Sequence, residues 1–238
     1  MLARNRPHRP MPTTIKAIFY DIDDCVALGS NADVGEEWDP SLAALFNLTP
    51  EEARAKRLAY FAHGCSLQGF LKDYGASHAL TADWPETFYA DTGHASARRF
   101  IQRHPPSQAL AALFAYVNKR KVRQVIVTLG HPHHYEPISK HLGLLKHVRK
   151  QDRIDRTHAV HDKAEAAVWE AQLKRLKLQP HEALVFEDSP LNLLWPHRLG
   201  MGTVAIGNRT HPDVEKENAI HWRYNSVSEG LTNLLSYL

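Results

Sequence analysis

At 238 residues, with 43% hydrophobic content and a formal net charge of +3, the chain is long enough to bury a large core and carries no strong charge bias toward a polyanion. No apolar run approaches the roughly 20 residues a bilayer-crossing helix needs, and the basic start Met1 to Pro10 lacks the apolar stretch of a secretory signal. A cytoplasmic protein without a membrane partner is expected. Cys25 and Cys65 are the only cysteines, which excludes a disulfide framework and a cysteine-rich zinc site.

Residues 1 to 12 carry Arg4, Arg6, Arg9 and prolines before any apolar periodicity, and read as a mobile tail in which Met11 is an alternative start. The apolar run Ile15 to Tyr20 predicts a strand that ends in Asp21, Asp23 and Asp24. Residues i and i+2 of extended backbone point to one side, so Asp21 and Asp23 fall together at the carboxyl end of that strand. Open α/β sheets bind ligands there. An acidic turn is the simpler alternative, but carboxylates flanked by apolar residues have to be solvated, paired or bound to metal.

From about residue 30 to 117 the patterns are helical: Ser41 to Phe46, Pro50 to Phe61, Leu67 to Tyr74 and Ser107 to Val117. Thr49, Pro50 and Glu52 form the signature of a capping box. The basic run Lys119, Arg120, Lys121 and Arg123 has no interleaved aromatics and gives no support to a nucleic acid partner. Val122 to Leu129 predicts a second strand, and Glu136 to Leu142 a helix that stops at Gly143. Between them lie His131, His133 and His134. Pro132 and Pro137 break helical ligand spacing and no cysteine is near, so these histidines are expected to border a pocket and not to hold zinc.

Lys163 to Leu176 shows two stripes, one of Ala164, Ala167, Val168 and Ala171 and one of Trp169, Leu173 and Leu176, which predicts a helix packed on two sides. Ala183 to Phe186 is strand-like and ends in Glu187 and Asp188. Leu191 to Leu199 reads as a helix kinked or shortened by Pro196, and Thr203 to Ile206 as a further strand. Strands alternating with helices imply right-handed βαβ units and a parallel sheet. The expected architecture is therefore α/β: a Rossmann-like parallel-sheet core from residues 13–29 and 118–238, with residues 30–117 inserted as an α-helical cap.

In such a sheet all strand carboxyl ends share one edge, so Asp21, Asp23, Thr128, Glu187 and Asp188 converge there, with Lys163 at the start of the preceding helix. The inventory suits phosphoryl transfer. A carboxylate can be the nucleophile, a second carboxyl can protonate the leaving oxygen, a hydroxyl and an ammonium can hold phosphate oxygens, and Mg²⁺ takes carboxylates with phosphate and water. A raised pKa is expected for Asp23, from its anionic neighbour.

The ordered set Asp21-x-Asp23, Thr128, Lys163 and Glu187-Asp188 resembles the four motifs of the haloacid dehalogenase (HAD) superfamily. Within it, the segments Phe19 to Asp23, Tyr60 to Phe70 and Phe186 to Leu193 look most like pyrimidine 5′-nucleotidase-like hydrolases with a helical cap. The resemblance implies Asp21 as nucleophile and Asp23 as acid and base, with Thr128 and Lys163 on the phosphoryl group. It also implies Mg²⁺ held by Asp21, the Asp23 carbonyl and Asp188, with Glu187 in support. The sequence departs from the pattern at Cys25, at Leu129-Gly130 and at Ala164, and Lys146 or Lys150 remain alternatives to Lys163. Tyr60, His63 and Ser66 are candidate substrate-facing groups of the cap. The implied partner is a small phosphate ester, a nucleoside 5′-monophosphate first. A phosphatase or phosphomutase for another metabolite and a silent ligand-binding module are the alternatives.

Overall fold

The computed structural model describes residues 14–61, 66–158 and 163–238. The expected tail at residues 1–12 and the candidate His63 lie outside them. Strand β1 (Ala17–Tyr20) is followed by helices α1 (Ser30–Phe46), α2 (Pro50–Phe61), α3 (Ser66–Tyr74), α4 (Trp84–Arg103) and α5 (Gln108–Lys119). Strands and helices then alternate: β2 (Arg123–Val127), α6 (Pro132–His141), β3 (Arg153–Ile154), α7 (Ala166–Leu176), β4 (Ala183–Glu187), α8 (Leu194–Leu199), β5 (Gly202–Ile206), α9 (Pro212–Glu217), β6 (Trp222–Tyr224) and α10 (Val227–Leu234). The six strands form one sheet in the order β3-β2-β1-β4-β5-β6, every pair parallel. This is the Rossmann-like α/β architecture the alternation implied. No helix of the described residues is long and apolar enough to cross a membrane.

The strands alternate faces with a period of two residues, and both faces are covered. Ile18, Tyr20, Ile126, Leu184 and Phe186 pack on one side against Phe100, Phe114, Tyr135, Ile138 and Leu231. Ala17, Phe19, Val125, Val127 and Val185 pack on the other against Val168, Trp169 and Leu173 of α7. Of the alanine-rich stripe expected on α7, Val168 is buried but Ala167 and Ala171 face solvent. The two-sided helix is thus corrected to a one-sided one, because alanine methyl groups bring too little apolar area to demand burial.

The inserted helices have an apolar cluster of their own: Trp38, Leu42, Phe46, Leu67, Phe70 and Phe88. Leu110, Phe114 and Val117 of α5 belong instead to the cluster on the sheet. The capping box of α2 forms as read, with the Thr49 N–H donating to Glu52 Oε2 at 2.8 Å and the Glu52 N–H to Thr49 Oγ1 at 3.2 Å. Several elements exceed the sequence reading. Helix α1 begins eleven residues before Ser41, running through Gly35 and Pro40, while α4 and the short strands β3 and β6 carry too weak a pattern to be recognised. Helix α6 also starts earlier, with Pro132 in its first turn, where a missing N–H costs nothing. His133 and His134 therefore stand on a helix that His131 caps, contrary to the expectation that Pro132 breaks one.

Candidate active site

Sheet register explains why distant residues meet. Tyr20 pairs with Phe186 across β1 and β4, so Asp21 and Glu187 each lie one step beyond a paired position. The Asp21 N–H continues the ladder to Phe186 O at 3.0 Å. Lys163 comes from the turn ahead of α7, a few residues before the helix in which the sequence reading placed it. Its ammonium donates to Asp21 Oδ1 at 2.6 Å and to Glu187 Oε2 at 2.7 Å. The indole N–H of Trp169 donates to Lys163 O at 3.0 Å and anchors that turn to the core. Glu187 is held from behind by the Ser189 N–H and the Asn192 amide, at 3.1 and 3.2 Å. Lys146 and Lys150 are exposed and do not line the cavity described below.

Asp21, Glu187 and Asp188 are all buried and offer carboxylate oxygens within 4.8 Å of one another. Burial and the charge of Glu187 push Asp21 well above the usual carboxylate range, against the pull of Lys163. Burial and Glu187 likewise push Asp188 up to about 7, although Arg209 and Lys163 oppose them. Arg209 ion-pairs with Asp188 and reaches Asp24 Oδ2 at 2.9 Å. Three buried carboxylates thus face one buried ammonium. Such a crowded set of hard oxygen donors, short of positive charge, fits a small divalent cation such as Mg²⁺.

Asp23 lies in a different electrostatic setting. Its Oδ1 accepts from the Ser30 hydroxyl at 2.6 Å and meets His134 Nε2 at 2.8 Å. Burial pushes its carboxyl up, but the charge and hydrogen bonds of His134 and Ser30 outweigh burial, and the net shift is downward. The expectation of a raised pKa is corrected here: the partners on Asp23 are donors, and no sequence signal marked them. Thr128 is buried at the end of β2, and its hydroxyl oxygen accepts the Gly130 N–H at 3.0 Å. A Cβ at Gly130 would lie 3.3 Å from both Asp23 Oδ2 and Thr128 Oγ1, so a bare backbone lets these two groups share one corner of the site.

These groups floor a cavity of about 730 Å³, counting the space open to solvent. Its floor includes Asp21, Asp23, Thr128 and Lys163, and its roof Trp38, Arg57, Ser66 and Tyr89 from the inserted helices. Of the candidate cap residues, Ser66 lines the cavity. Tyr60 does not: its ring packs edge-on against Phe70 at 5.1 Å, and its hydroxyl bonds Asp73. Ser30, Ser96, Arg57, Asn192 and Arg209 were not singled out from sequence. Only Ser30 had a usable signal, since it follows Gly29 at a helix start. The sequence marks His134 only as one of three pocket histidines, and its contact with Asp23 spans 111 positions.

Residues 15–194 match the family described as haloacid dehalogenase-like hydrolase. Among solved structures, the chain is similar to a hydrolase from Pseudomonas syringae, with a TM-score of 0.64 and 17% identity over 92% of this chain and 97% of that one. It is also similar to a HAD phosphatase from Thermococcus onnurineus, at 0.60 and 18% over 93% and 98%. A β-phosphoglucomutase from Clostridium difficile gives 0.61 and 15% over 94% and 97%. At these identities the likeness shows the fold alone. No curated protein matches the sequence.

Proposed function

The chain belongs to the haloacid dehalogenase-like hydrolase family, and from that premise we propose that it is a Mg²⁺-dependent phosphomonoester hydrolase, acting through an aspartyl-phosphate on Asp21, with a nucleoside 5′-monophosphate as substrate. One observation carries the reading: two carboxylates two residues apart stand in opposite surroundings, Asp21 among Lys163, Glu187 and Asp188, and Asp23 between Ser30 and His134. Two carboxyl groups with separated environments are what a nucleophile and an acid require.

In this reading Asp21 attacks phosphorus in line, forming an Asp21 O–P bond as the ester P–O bond breaks. The leaving oxygen keeps the bonding electrons and takes a proton from Asp23, whose protonated form is favoured once a phosphate dianion arrives beside it. Asp23 then removes a proton from water. The water oxygen bonds to phosphorus, the Asp21 O–P bond breaks, and inorganic phosphate leaves with both carboxyl groups restored. Thr128 and Lys163 hold phosphoryl oxygens. Asp21, the Asp23 carbonyl and Asp188 would hold Mg²⁺, with Glu187 in support, and the ion supplies charge neutralisation between nucleophile and phosphate.

Helices α1 to α4 act as the cap that selects the leaving group. The Trp38 and Tyr89 rings meet edge to face at 4.6 Å and offer apolar surface to a planar group. Arg57 reaches the cavity already paired with Asp39, at 2.6 and 3.1 Å, so this wall offers donors without net charge. That combination suits a neutral base better than a second phosphate. The test is a panel of phenyl phosphate, nucleoside 5′-monophosphates and sugar phosphates with Mg²⁺ and with EDTA. Phenyl phosphate and nucleotides should be hydrolysed, EDTA should stop turnover, and added Mg²⁺ should restore it. Turnover of sugar phosphates without nucleotides would refute the substrate class, and turnover indifferent to chelation would refute the metal.

A further inference from the structure

We propose that His134 is a positioning residue that selects which oxygen of Asp23 works on the leaving group, and that Ser96 makes this selection depend on the docking of α4. The inference rests on the acid and base role of Asp23. Its basis is a continuous hydrogen-bonded line from the inserted helices to the sheet edge. Ser96, on α4, is 1% exposed and donates its hydroxyl to Gly93 O at 3.0 Å. Its oxygen is then left to accept, and His134 Nδ1 lies 2.8 Å away. With both ring nitrogens protonated, Nδ1 donates to Ser96 and Nε2 donates to Asp23, and the 2.8 Å contact is to Oδ1 alone.

Ser30 donates to the same Oδ1, so that oxygen is fully engaged. The other oxygen, Oδ2, lies at the corner shared with Thr128 and is the one left for proton transfer. Helix packing supports the arrangement. Gly93, inside α4, has the His133 Cβ and the His134 nitrogen 3.1 and 3.2 Å from where its own Cβ would be. Glycine in a helix interior costs about 1 kcal/mol relative to alanine. The close approach of α6 to α4 gives that cost a purpose, since it brings Ser96 within reach of His134. A second tie, Arg156 on Glu86 at 2.8 Å with its guanidinium 3.9 Å from the Tyr89 ring centroid, fastens the same helix to the turn after β3.

A merely buried, satisfied histidine would affect every substrate alike, and a positioning histidine would not. The acid matters for an alkoxide leaving group and little for p-nitrophenolate. The value of kcat/KM reports steps up to phosphoryl transfer onto Asp21. For His134→Ala, kcat/KM should fall about 100-fold on an alkyl phosphate, here a nucleoside 5′-monophosphate, and less than about threefold on p-nitrophenyl phosphate. His134→Gln, which keeps a donor toward Oδ1, should recover most of the alkyl activity. Ser96→Ala should show the same selectivity at about three- to tenfold, which keeps the test decisive if the alanine variant at 134 fails to fold.

Equal losses on both substrates in these variants, or no loss in either, would overturn the proposal. Asp23→Asn on the same two substrates separates the layers. If it is selective for the alkyl ester while the His134 and Ser96 variants are not, only this inference fails. If it is not selective, the acid and base reading fails with it.

Discussion

The two walls of the cavity are built on different physical terms. The floor hangs from strand ends whose positions are set by backbone ladders, so Asp21, Glu187 and Thr128 can move only if the parallel sheet moves. The roof is a helical insertion held by side chains, with aromatic packing around Phe46 and Phe70 and ion pairs such as Arg103 with Asp33 at 3.0 Å. Rigid positioning suits a reacting phosphorus, which needs tight alignment. A helical roof is easier to vary, and that suits recognition of the part of the substrate that does not react. Floor and roof are joined through His134, which stands on α6 of the core and bonds Ser96 of α4.

Breaking the floor should cost chemistry. Lys163→Ala removes the buried ammonium between Asp21 and Glu187, and turnover should fall about 10²- to 10³-fold. Steady-state kinetics on phenyl phosphate read this directly, and near-normal turnover would contradict the assignment of Lys163. Breaking the roof should cost stability and recognition instead. Phe70→Ala opens the cluster in which Phe70 stacks on Phe46 at 5.2 Å, and should cost about 3–5 kcal/mol. Denaturant unfolding should show that loss, while phenyl phosphate turnover in the remaining folded protein stays close to normal. The smallest effect belongs to a feature of the roof far from the cavity. Thr49→Ala removes a capping box at the start of α2 and should cost about 1 kcal/mol without changing KM.

The same contrast explains what could be read from sequence. The floor was legible because strands buried on both faces leave dense apolar runs, and because parallel topology sends every carboxyl end to one edge. Asp21, Asp23, Thr128, Glu187 and Asp188 could be placed together from those two facts. The roof was less legible. Helix α1 contains Gly35 and Pro40, which read as breakers, although Gly35 lies directly against the Arg57 guanidinium. Helix α4 buries small residues, Gly93, Ser96 and Ala97, between Phe88 and Phe100, and their burial against a neighbouring helix interrupts its apolar stripe. Tyr60 sat at a suggestive position yet turned to Phe70 and Asp73, as aromatic residues at helical spacing tend to do. The partners of Asp23 lay furthest from view. A hydrogen bond between residues 23 and 134 has no local pattern, and its consequence, a carboxyl held down when burial alone would raise it, follows only from the folded site.

The proposed mechanism requires Asp21 to carry the phosphoryl group. Acid quenching during turnover of p-nitrophenyl phosphate with Mg²⁺, followed by peptide mass spectrometry, tests it directly. A phosphorylated peptide with the modification on Asp21 is expected, absent from Asp21→Asn together with its turnover. Sustained turnover by Asp21→Asn, or a phosphoryl group found on another residue, would contradict it.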